Sequence, residues 1–280
     1  MAILSIQSQV LNGSVGNTGA AFIYARLGLE VWPLPSVILS HHPGHGGSEG
    51  GPVKQARLAA LITGLAARGA FARCEAVVSG YLGAEAAVPV VTDAIARARA
   101  RASHPGALYL CDPVLGDSGR IYVPHALVDA TRTHLLPRAD IATPNPFELE
   151  ILTGLPVPDR AHAFRAMAQL GPGLVILTGF TGTDTTPGTL DILMLEAGNP
   201  YHHTVEALPR PFSGAGDAFT ALFLAAYLPH RNARRALAAA ATASAALLAA
   251  TTALGQDELA IVPAQHLWTT AFAAATATET

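Results

Sequence analysis

The sequence predicts an α/β fold with a mainly parallel sheet and helices on both of its faces. Short apolar runs of strand length alternate with longer segments of helical periodicity along all 280 residues. This alternation implies right-handed crossover connections, which place parallel strands side by side. Polar residues follow several of the apolar runs, and sheets of this kind bind ligands at that end of their strands. We therefore expect one domain, 1–280, with one site built from several loops.

The first half of the chain is predicted to form strands and helices in alternation. Apolar runs indicate strands at 2–7, 76–79 and 107–111, and helical periodicity indicates helices at 17–27, 52–68 and 85–102. Asn17 is expected to cap the first of these helices. Segment 29–39 is apolar but contains Pro33 and Pro35, and proline lacks the N–H that a central strand uses. Short edge strands are therefore expected there.

The second half continues the alternation and ends in helices. Strands are expected at 139–142 and 174–177, a hairpin at 191–196 and 202–206, and helices at 214–228, 232–254 and from 263 onward. The hairpin is expected to turn at Gly198 and Asn199. Segment 236–254 is uncharged and long enough to span a bilayer. It is mostly alanine, which contributes little to membrane insertion, so it is interpreted as a buried helix and no membrane partner is expected.

Composition and charge exclude several classes of partner. Only 13% of the residues are charged, against roughly 25% in an average globular domain. The net charge of −3 argues against nucleic acid as a main partner.

Residues 1–10 lack the basic and apolar regions of a signal peptide, so no signal peptide is expected. Cys74 and Cys111 lie far apart in the sequence and are expected to be reduced, buried thiols of a cytoplasmic protein.

The sharpest local motif is the run SGAGDAF at 213–219, which opens an apolar helix. Its two glycines allow a tight turn that aims backbone N–H groups at one point, and the helix N-terminus adds positive potential. Such a point favours an anion, typically a phosphoryl group, and Asp217 would accept a proton from an attacking hydroxyl. A glycine turn followed by an aspartate that compensates the helix dipole is the alternative, and the motif alone leaves both open.

Two common nucleotide-binding motifs are absent from the sequence. It contains no G-x-x-x-x-G-K-[ST] loop, and no G-x-G-x-x-G follows the first predicted strand. A P-loop kinase and a Rossmann dehydrogenase are therefore disfavoured.

Several further segments form a recognisable pattern when they are taken in their order along the chain. They are SIQS at 5–8 with VGN at 15–17, WPL at 32–34, SGYLG at 79–83, CDPVLGD at 111–117, and DIATPN at 140–145 with Glu148 and Glu150. In this order they resemble the pyridoxal kinases of the ribokinase-like superfamily, in register from about residue 3 to residue 252. The resemblance implies a ribokinase-like three-layer sandwich. It also implies ATP-dependent phosphorylation of the 5′-hydroxymethyl group of pyridoxal, pyridoxine or pyridoxamine.

The resemblance also assigns roles to particular residues. Asp217 falls on the catalytic base, and the anion hole falls on Gly214, Ala215 and Gly216. The substrate-binding positions are Ser8, Val15, His42, Tyr81 and Asp217, and the ATP-binding positions are Asp112, Asp117, Tyr122, Thr143, Asn145, Glu148 and Thr178. Asp112 and Glu148 would hold Mg²⁺, because carboxylates tolerate the phosphates of ATP only with a cation between them. A monovalent cation and a cytoplasmic homodimer are further expectations.

Each of these residues also has an ordinary structural interpretation. Tyr81 fits a loop aromatic, Asp112 with Pro113 fits a turn, and Glu148 fits the first turn of a helix. Their joint order and spacing favour the functional interpretation.

The chain departs from the family pattern at several positions. Pro43 stands where a threonine is expected to help hold the substrate, which removes a hydroxyl and a backbone donor. The glycine-rich segment around His41, His42 and His45 is interpreted as a mobile lid, and a metal site there is disfavoured. Thr178 stands where some members carry lysine. Arg210 is a candidate helper at the phosphates, although a solvated charge is the favoured interpretation.

Two other functions remain open at this point. A kinase of another small alcohol is one, although hydroxymethylpyrimidine kinases usually carry cysteine at the position of Asp217. Sugar kinases usually have a Gly-Gly loop with Asn or Asp after the first strand, where this chain has Ser8 and Gln9. A vitamer-binding protein without catalysis is the other. The intact turn at 214–217 argues against it, because that turn serves phosphoryl transfer.

Overall fold

A nine-stranded sheet forms the centre of the computed structural model, which describes residues 2–100, 106–208 and 210–277. The strands are β1 (Ala2–Val10), β2 (Glu30–Leu39), β3 (Gly50–Pro52), β4 (Cys74–Ser79), β5 (Leu108–Cys111), β6 (Gly116–Asp117), β7 (Arg120–Ile121), β8 (Ile141–Ala142), β9 (Leu174–Phe180), β10 (Thr189–Glu196) and β11 (Asn199–Glu206). Strands β6 and β7 form a separate small hairpin.

The topology of the sheet creates a crevice at its centre. The strand order is β11-β10-β9-β8-β5-β4-β1-β2-β3. The strands from β9 to β2 run parallel, and β3, β10 and β11 pair antiparallel at the two edges. The chain begins at β1, adds β2 on one side, and then adds β4 and later strands on the other. The switch point between β1 and β4 is where open sheets of this kind bind ligands.

Helices cover both faces of the sheet, as the sequence predicts. They are α1 (Asn17–Arg26), α2 (Gln55–Ala67), α3 (Val88–Arg99), α4 (His125–Ala130), α5 (Pro146–Thr153), α6 (Arg160–Met167), α7 (Ala215–His230), α8 (Ala233–Ala253) and α9 (Gln265–Ala277). One apolar cluster packs α2 to α6 against one face, and a second packs α1 and α7 to α9 against the other. Successive strand residues point to opposite faces, so Ile3 lies in the second cluster and Leu4 in the first.

Three sequence predictions need correction at their ends. Asn17 is the first residue of α1 and not its cap: Gly16 is the cap, and the buried Asn17 amide donates to the Gln7 carbonyl at 3.1 Å. The helix predicted at 52–68 begins at Gln55, because 50–52 forms β3. The helix predicted at 85–102 starts with a 3₁₀ turn and becomes α3 at Val88, and its predicted residues 101–102 lie outside the described residues.

The apolar segment with two prolines forms one long strand, β2, instead of several short ones. Pro33 and Pro35 are two residues apart, so both prolines lack their N–H on the same side of the strand. On its outer side β2 is paired with β3 only at 37–39, which leaves the prolines at an edge. The expected edge character is therefore confirmed, while the number of strands is not.

Helix α8 is long and apolar enough to cross a membrane by length and composition alone, with a mean hydropathy of 1.6 over its most apolar stretch. Half of that stretch is buried inside the fold. Leu237, Ala240 and Leu247 are among the residues that α8 contributes to the second apolar cluster. This agrees with the core helix that the alanine-rich sequence predicts.

Replacement of Trp268 is expected to lower the free energy of unfolding strongly. The side chain of this α9 residue is fully buried, and its indole N–H donates to the Ile261 carbonyl at 2.8 Å. Trp268→Ala removes both the packing and the donor, so we expect a loss of about 3–5 kcal/mol in urea unfolding. Leu267→Ala, at a neighbouring side chain that is 47% exposed, is the control and should cost far less. Equal losses would contradict the packing role of Trp268.

Candidate active site

The candidate site lies at the carboxyl ends of the parallel strands. Ser8 lies near the end of β1, Tyr81 follows β4, Asp112 follows β5, Thr143 follows β8, and Thr178 lies near the end of β9. Neighbouring parallel strands end at the same edge, so these residues collect there. The Thr178 N–H donates to the Pro144 carbonyl at 3.1 Å, which joins the last two of these ends. The structure thus brings these strand ends together at one edge of the sheet.

Asp217 lies in the first turn of α7 and faces the loop after β1. Its Oδ2 accepts the backbone N–H of Gly16 at 2.7 Å. Burial raises the pKa of the Asp217 carboxyl, and the Gly16 hydrogen bond offsets part of that rise. A carboxylate with a raised pKa is a better proton acceptor than a solvated one. Gly16 therefore orients the oxygen atoms of a side chain that is suited to act as a base.

Gly214 allows the start of α7 to approach the loop that follows β1. It adopts a left-handed conformation with φ of +83°, and a Cβ there would lie 3.0 Å from the Ser14 carbonyl and 3.2 Å from Val15 Cγ1. Val15 is buried against this turn. The Ala215 N–H donates to the Phe212 carbonyl at 3.2 Å within the turn. The N–H groups of Gly216 and Asp217 also belong to the first helical turn, whose donors have no partner within a helix.

Asp112 is buried among polar groups beneath the glycine turn. Thr220 Oγ1 lies 3.3 Å from Asp112 Oδ2 and 3.1 Å from Thr143 Oγ1. Burial raises the pKa of the Asp112 carboxyl well above its usual value, and the nearby charges of Asp217 and Glu148 raise it further. Three carboxyl groups thus repel one another in a poorly solvated region. A cation would relieve this repulsion.

Thr220 is a site residue that the sequence analysis missed. It is buried, and it follows Asp217 by three residues on α7. Residues at this spacing lie on the same face of a helix. That spacing after the SGAGD run was the signal that could have identified it.

Glu148 and Asn145 cap helix α5. The Asn145 side chain accepts the Glu148 N–H at 2.8 Å, while Glu148 Oε2 accepts the Asn145 N–H at 2.9 Å. Glu148 Oε1 also accepts the Leu115 N–H at 2.8 Å, and the Asn145 amide donates to the Gly116 carbonyl at 2.8 Å. This capping box supports the structural interpretation of Glu148 and gives Asn145 a structural role as well. It also ties the loop after β5 to α5, close to Asp112.

The stability of the protein is expected to fall as pH rises, in part because of Glu148. Burial outweighs its backbone hydrogen bonds and raises its pKa from 4.5 to about 7. The folded state therefore binds a proton that the unfolded state has lost, and this contribution disappears as pH rises through 7. The shift corresponds to about 3 kcal/mol.

Glu148→Gln should flatten the fall in the midpoint temperature of unfolding between pH 5 and 8. Glu206→Gln is the control, because Glu206 lies exposed on β11. That variant should follow the wild-type slope in thermal unfolding measured across pH. A Glu148→Gln slope equal to that of the wild type would contradict the assignment.

Tyr81 and Tyr122 form an aromatic wall beside the acidic groups. Their ring centroids are 6.2 Å apart. Tyr122 is 44% exposed, and burial together with Glu148, Asp112, Asp217 and Asp117 raises its pKa. Asp117 is exposed in the β6–β7 hairpin. Tyr122 and Asp117, predicted on the ATP side, and Tyr81, predicted on the substrate side, thus lie around the same acidic region, with Asp117 at its rim.

The segment between β2 and β3 carries the three predicted histidines. His42 caps a 3₁₀ turn at 43–45 that begins at Pro43, and its Nδ1 accepts the Gly44 N–H at 3.2 Å. Burial lowers the pKa of His42. His45 Nε2 lies 3.0 Å from Glu258 Oε1. Across the described residues, no group of three or more His, Cys, Asp or Glu side chains is arranged to hold a metal ion.

Arg210 is engaged away from the glycine turn. Its guanidinium donates to Asp257 Oδ1 at 3.0 Å and to the Gln256 carbonyl, and it lies over the Phe212 ring at 4.5 Å. These contacts join the segment before α7 to the segment after α8. They give Arg210 a structural role at the surface, where its charge is paired and not free in solvent as the favoured interpretation expected.

Comparison with known proteins adds independent information. Residues 61–262 match the family model described as phosphomethylpyrimidine kinase. The pyridoxal kinase PdxY of Granulibacter bethesdensis is 42% identical over 274 residues, covering 95% of each chain. That of Deinococcus radiodurans is 40% identical over 273 residues, covering 94% of this chain and 91% of the other.

Solved structures show the same similarity in three dimensions. Pyridoxal kinase from Leishmania donovani in complex with ADP and pyridoxamine has a TM-score of 0.86 and 30% sequence identity, with 95% of each chain covered. The same enzyme with ADP and pyridoxine has a TM-score of 0.87 and 30% identity, covering 95% of this chain and 94% of the other. The predicted fold class is confirmed by these structures.

Proposed function

Since the chain belongs to the pyridoxal kinase family and is an ATP-dependent pyridoxal kinase, we propose that Asp217 is the general base of the transfer. The observation that carries this proposal is the 2.7 Å hydrogen bond from the Gly16 N–H to Asp217 Oδ2. It holds the carboxylate at the switch point of the sheet, beside the turn that begins α7. The raised pKa of this partly exposed carboxylate supports the proposal, because groups that exchange protons with a substrate often have perturbed pKa values.

The chemical step follows from this placement. Asp217 takes the proton of the 5′-hydroxyl group of pyridoxal as its oxygen attacks the γ-phosphorus of ATP. The new P–O bond forms as the bond to the β-phosphate oxygen breaks, and ADP leaves with that electron pair. The products are pyridoxal 5′-phosphate, ADP and one proton held by Asp217. Release of this proton to solvent restores the base.

The turn at 214–216 would stabilise the phosphoryl group during its transfer from ATP to the substrate. Backbone N–H groups at the start of α7, with the positive end of its dipole, face the point where negative charge develops. Because the Ala215 N–H already donates to the Phe212 carbonyl, we assign the larger part of this stabilisation to the N–H groups of Gly216 and the residue after it.

The ATP side of the site would be lined by Thr143, Asn145, Thr178, Tyr122 and Asp117.

Mg²⁺ fits the donor set on the acidic side. It prefers oxygen ligands and is commonly bound through one or two carboxylates together with water and substrate phosphates. Asp112 is the better ligand, because both oxygens of Glu148 already accept backbone N–H groups. When bound, Mg²⁺ would neutralise phosphate charge, and Glu148 would act on it through water. A monovalent cation remains an expectation from the family resemblance.

The pyridine ring would bind between Ser8, Val15, Tyr81 and His42. Ser8 and Val15 are both buried next to Gly16 and Gly214, and Tyr81 supplies an aromatic face. One hydroxyl contact and apolar walls suit a neutral aromatic alcohol. With Pro43 in place of a hydroxyl-bearing residue, this turn would contact the substrate mainly through the ring of His42.

We further propose that residues 1–280 act as one kinase domain, in a cytoplasmic homodimer.

A turnover assay tests the proposal and separates it from its alternatives. ADP formation is measured with pyridoxal, pyridoxine, pyridoxamine and hydroxymethylpyrimidine, because the matching family model is described as phosphomethylpyrimidine kinase. We expect the highest kcat/KM with a pyridoxal-type substrate. Faster turnover of hydroxymethylpyrimidine would favour the second candidate. Binding of the vitamers without turnover of any would favour a binding protein.

A further inference from the structure

Glu258 bridges two loops that flank the candidate site. Its Oε2 accepts the Ser14 N–H at 2.7 Å, and its Oε1 lies 3.0 Å from His45 Nε2. Ser14 belongs to the loop that follows β1, while His45 belongs to the loop between β2 and β3. The Glu258 side chain is only 24% exposed. A single carboxylate thus connects segments that are more than two hundred residues away from it in sequence.

Both bridged loops lead directly to the proposed reacting centre. Ser14 is two residues before Gly16, whose N–H holds Asp217 Oδ2 at 2.7 Å. His45 closes the 3₁₀ turn that His42 caps, and the rings of these two histidines lie edge to face with centroids 6.1 Å apart. Glu258 is therefore linked to the base on one side and to the substrate-side histidine on the other.

Among the described residues, the hydrogen bonds that link the two loops lie at their base and at Glu258. At their base the loops pair through backbone hydrogen bonds from Leu11 to Leu39 and from Asn12 to Ser40. Beyond that point they border an open cavity of about 400 Å³, and the segment around Glu258 lines another part of its wall. A cavity supplies no packing that could fix the distance across it.

The surroundings of Glu258 hold its carboxylate firmly. The next three residues, 259–261, are buried in the second apolar cluster, so the backbone that carries Glu258 is anchored. Gly13 faces the carboxylate with φ of +126°, and a Cβ there would lie 2.5 Å from Glu258 Oε2. The positive φ favours glycine at this position, and the missing side chain lets the carboxylate approach the backbone.

We propose that Glu258 is a positioning residue for phosphoryl transfer, which fixes the spacing between the loop that orients Asp217 and the loop that carries His42. This role rests on the proposed function of the site. Glu258 acts through Ser14 and His45 and does not itself contact the reacting atoms. Its loss would misalign the pyridoxal hydroxyl and the base while leaving the ATP side in place.

Steady-state kinetics of Glu258→Ala test the proposal. We expect kcat/KM for pyridoxal to fall about 100-fold, the effect of a misplacement near 1 Å, through both a higher KM for pyridoxal and a lower kcat. The KM for ATP should stay within about twofold, because the predicted ATP residues lie near the carboxyl ends of β5, β8 and β9, away from Glu258. Glu258→Gln keeps an oxygen acceptor for the Ser14 N–H and should restore most of kcat. His45→Ala removes only the contact between Glu258 and the loop that carries His42, and it should raise only the KM for pyridoxal.

Asp257→Asn is the matched control. Asp257 is the neighbouring acid, its side chain is 81% exposed and it contacts Arg210, so its variant should keep wild-type kinetics. The proposal is overturned if Glu258→Ala keeps kcat/KM for pyridoxal within twofold, or if the KM values for ATP and pyridoxal rise equally. If Glu258→Ala does not fold, unchanged kinetics of both Glu258→Gln and His45→Ala overturn it. A wild-type protein that turns over no vitamer would instead defeat the proposed function.

Discussion

Asp217→Asn is expected to lower kcat for pyridoxal phosphorylation by about 10²–10⁴-fold, the usual contribution of a positioned base. The amide cannot accept the hydroxyl proton, but its oxygen can still accept the Gly16 N–H that now binds Oδ2 at 2.7 Å. Because burial raises the pKa of Asp217, the charged form costs stability at neutral pH, and removal of the charge should preserve or raise the midpoint temperature of unfolding. The measurements are kcat with saturating ATP and a thermal melt.

The matched control for this variant is Asp129→Asn. Asp129 lies on α4 with a side chain that is 70% exposed, where it pairs with Arg132. That substitution should leave both kcat and the midpoint temperature close to wild type. Turnover by Asp217→Asn at the wild-type rate would show that Asp217 is not the general base. A loss of kcat together with a collapse of the melt would point to a structural role instead.

Much of the sheet could be predicted from the sequence because its strands are continuous apolar runs. The run at 2–7 predicts β1, and the predicted hairpin at 191–206 forms. Its turn was predicted one residue too late: it lies at Ala197 and Gly198, and Asn199 is already paired with Glu196. Strands buried on both faces leave this signature in any parallel sheet. Strand β8 is only two residues long, which shows that apolar composition gives the position of a strand more reliably than its length.

The helices that were not predicted are the short ones. Helices α4 and α6 are six and eight residues long, too short to show clear periodicity. Helix α5 has a full capping signal in Asn145, Pro146 and Glu148, but these residues also matched the family pattern at the ATP side. The structure shows that they form the cap, and a cap at the edge of a site serves both purposes.

The candidate site was predictable where its residues follow strands, and less so where long-range contacts build it. The carboxyl ends of β5 and β8 directly indicate Asp112 and Thr143. The partners Thr220 and Glu258 come from the far end of the chain, and their contacts with Asp112 and Ser14 depend on tertiary packing. The spacing of Thr220 from Asp217 on α7 could have indicated that residue, whereas nothing in the local pattern around Glu258 indicates its contact with Ser14.

Gly16→Ala is expected to reduce kcat/KM for pyridoxal by about 100-fold or more, the effect of displacing reacting groups by about 1 Å. A Cβ at this position would lie 2.3 Å from the Ser8 carbonyl and 2.5 Å from Ser8 Oγ. The backbone has φ of 58° and ψ of −140°, in a region that residues other than glycine strongly avoid. The loop must therefore move, and it carries away both the N–H that orients Asp217 and the wall at Ser8. Steady-state kinetics and urea unfolding measure the two effects.

Gly28→Ala separates the strain of the backbone from the collision with Ser8. Gly28 also has positive φ, +79°, but nothing lies within 4 Å of a Cβ placed there. It follows α1 at the surface, away from the carboxyl ends of the strands, so its variant should cost only about 1–2 kcal/mol of stability and keep kcat/KM unchanged. If Gly16→Ala retains wild-type kcat/KM after a similar loss of stability, the Gly16 N–H does not set the geometry of the base. If only Gly16→Ala loses activity, the close packing of Gly16 on Ser8 is what aligns Asp217 with the substrate.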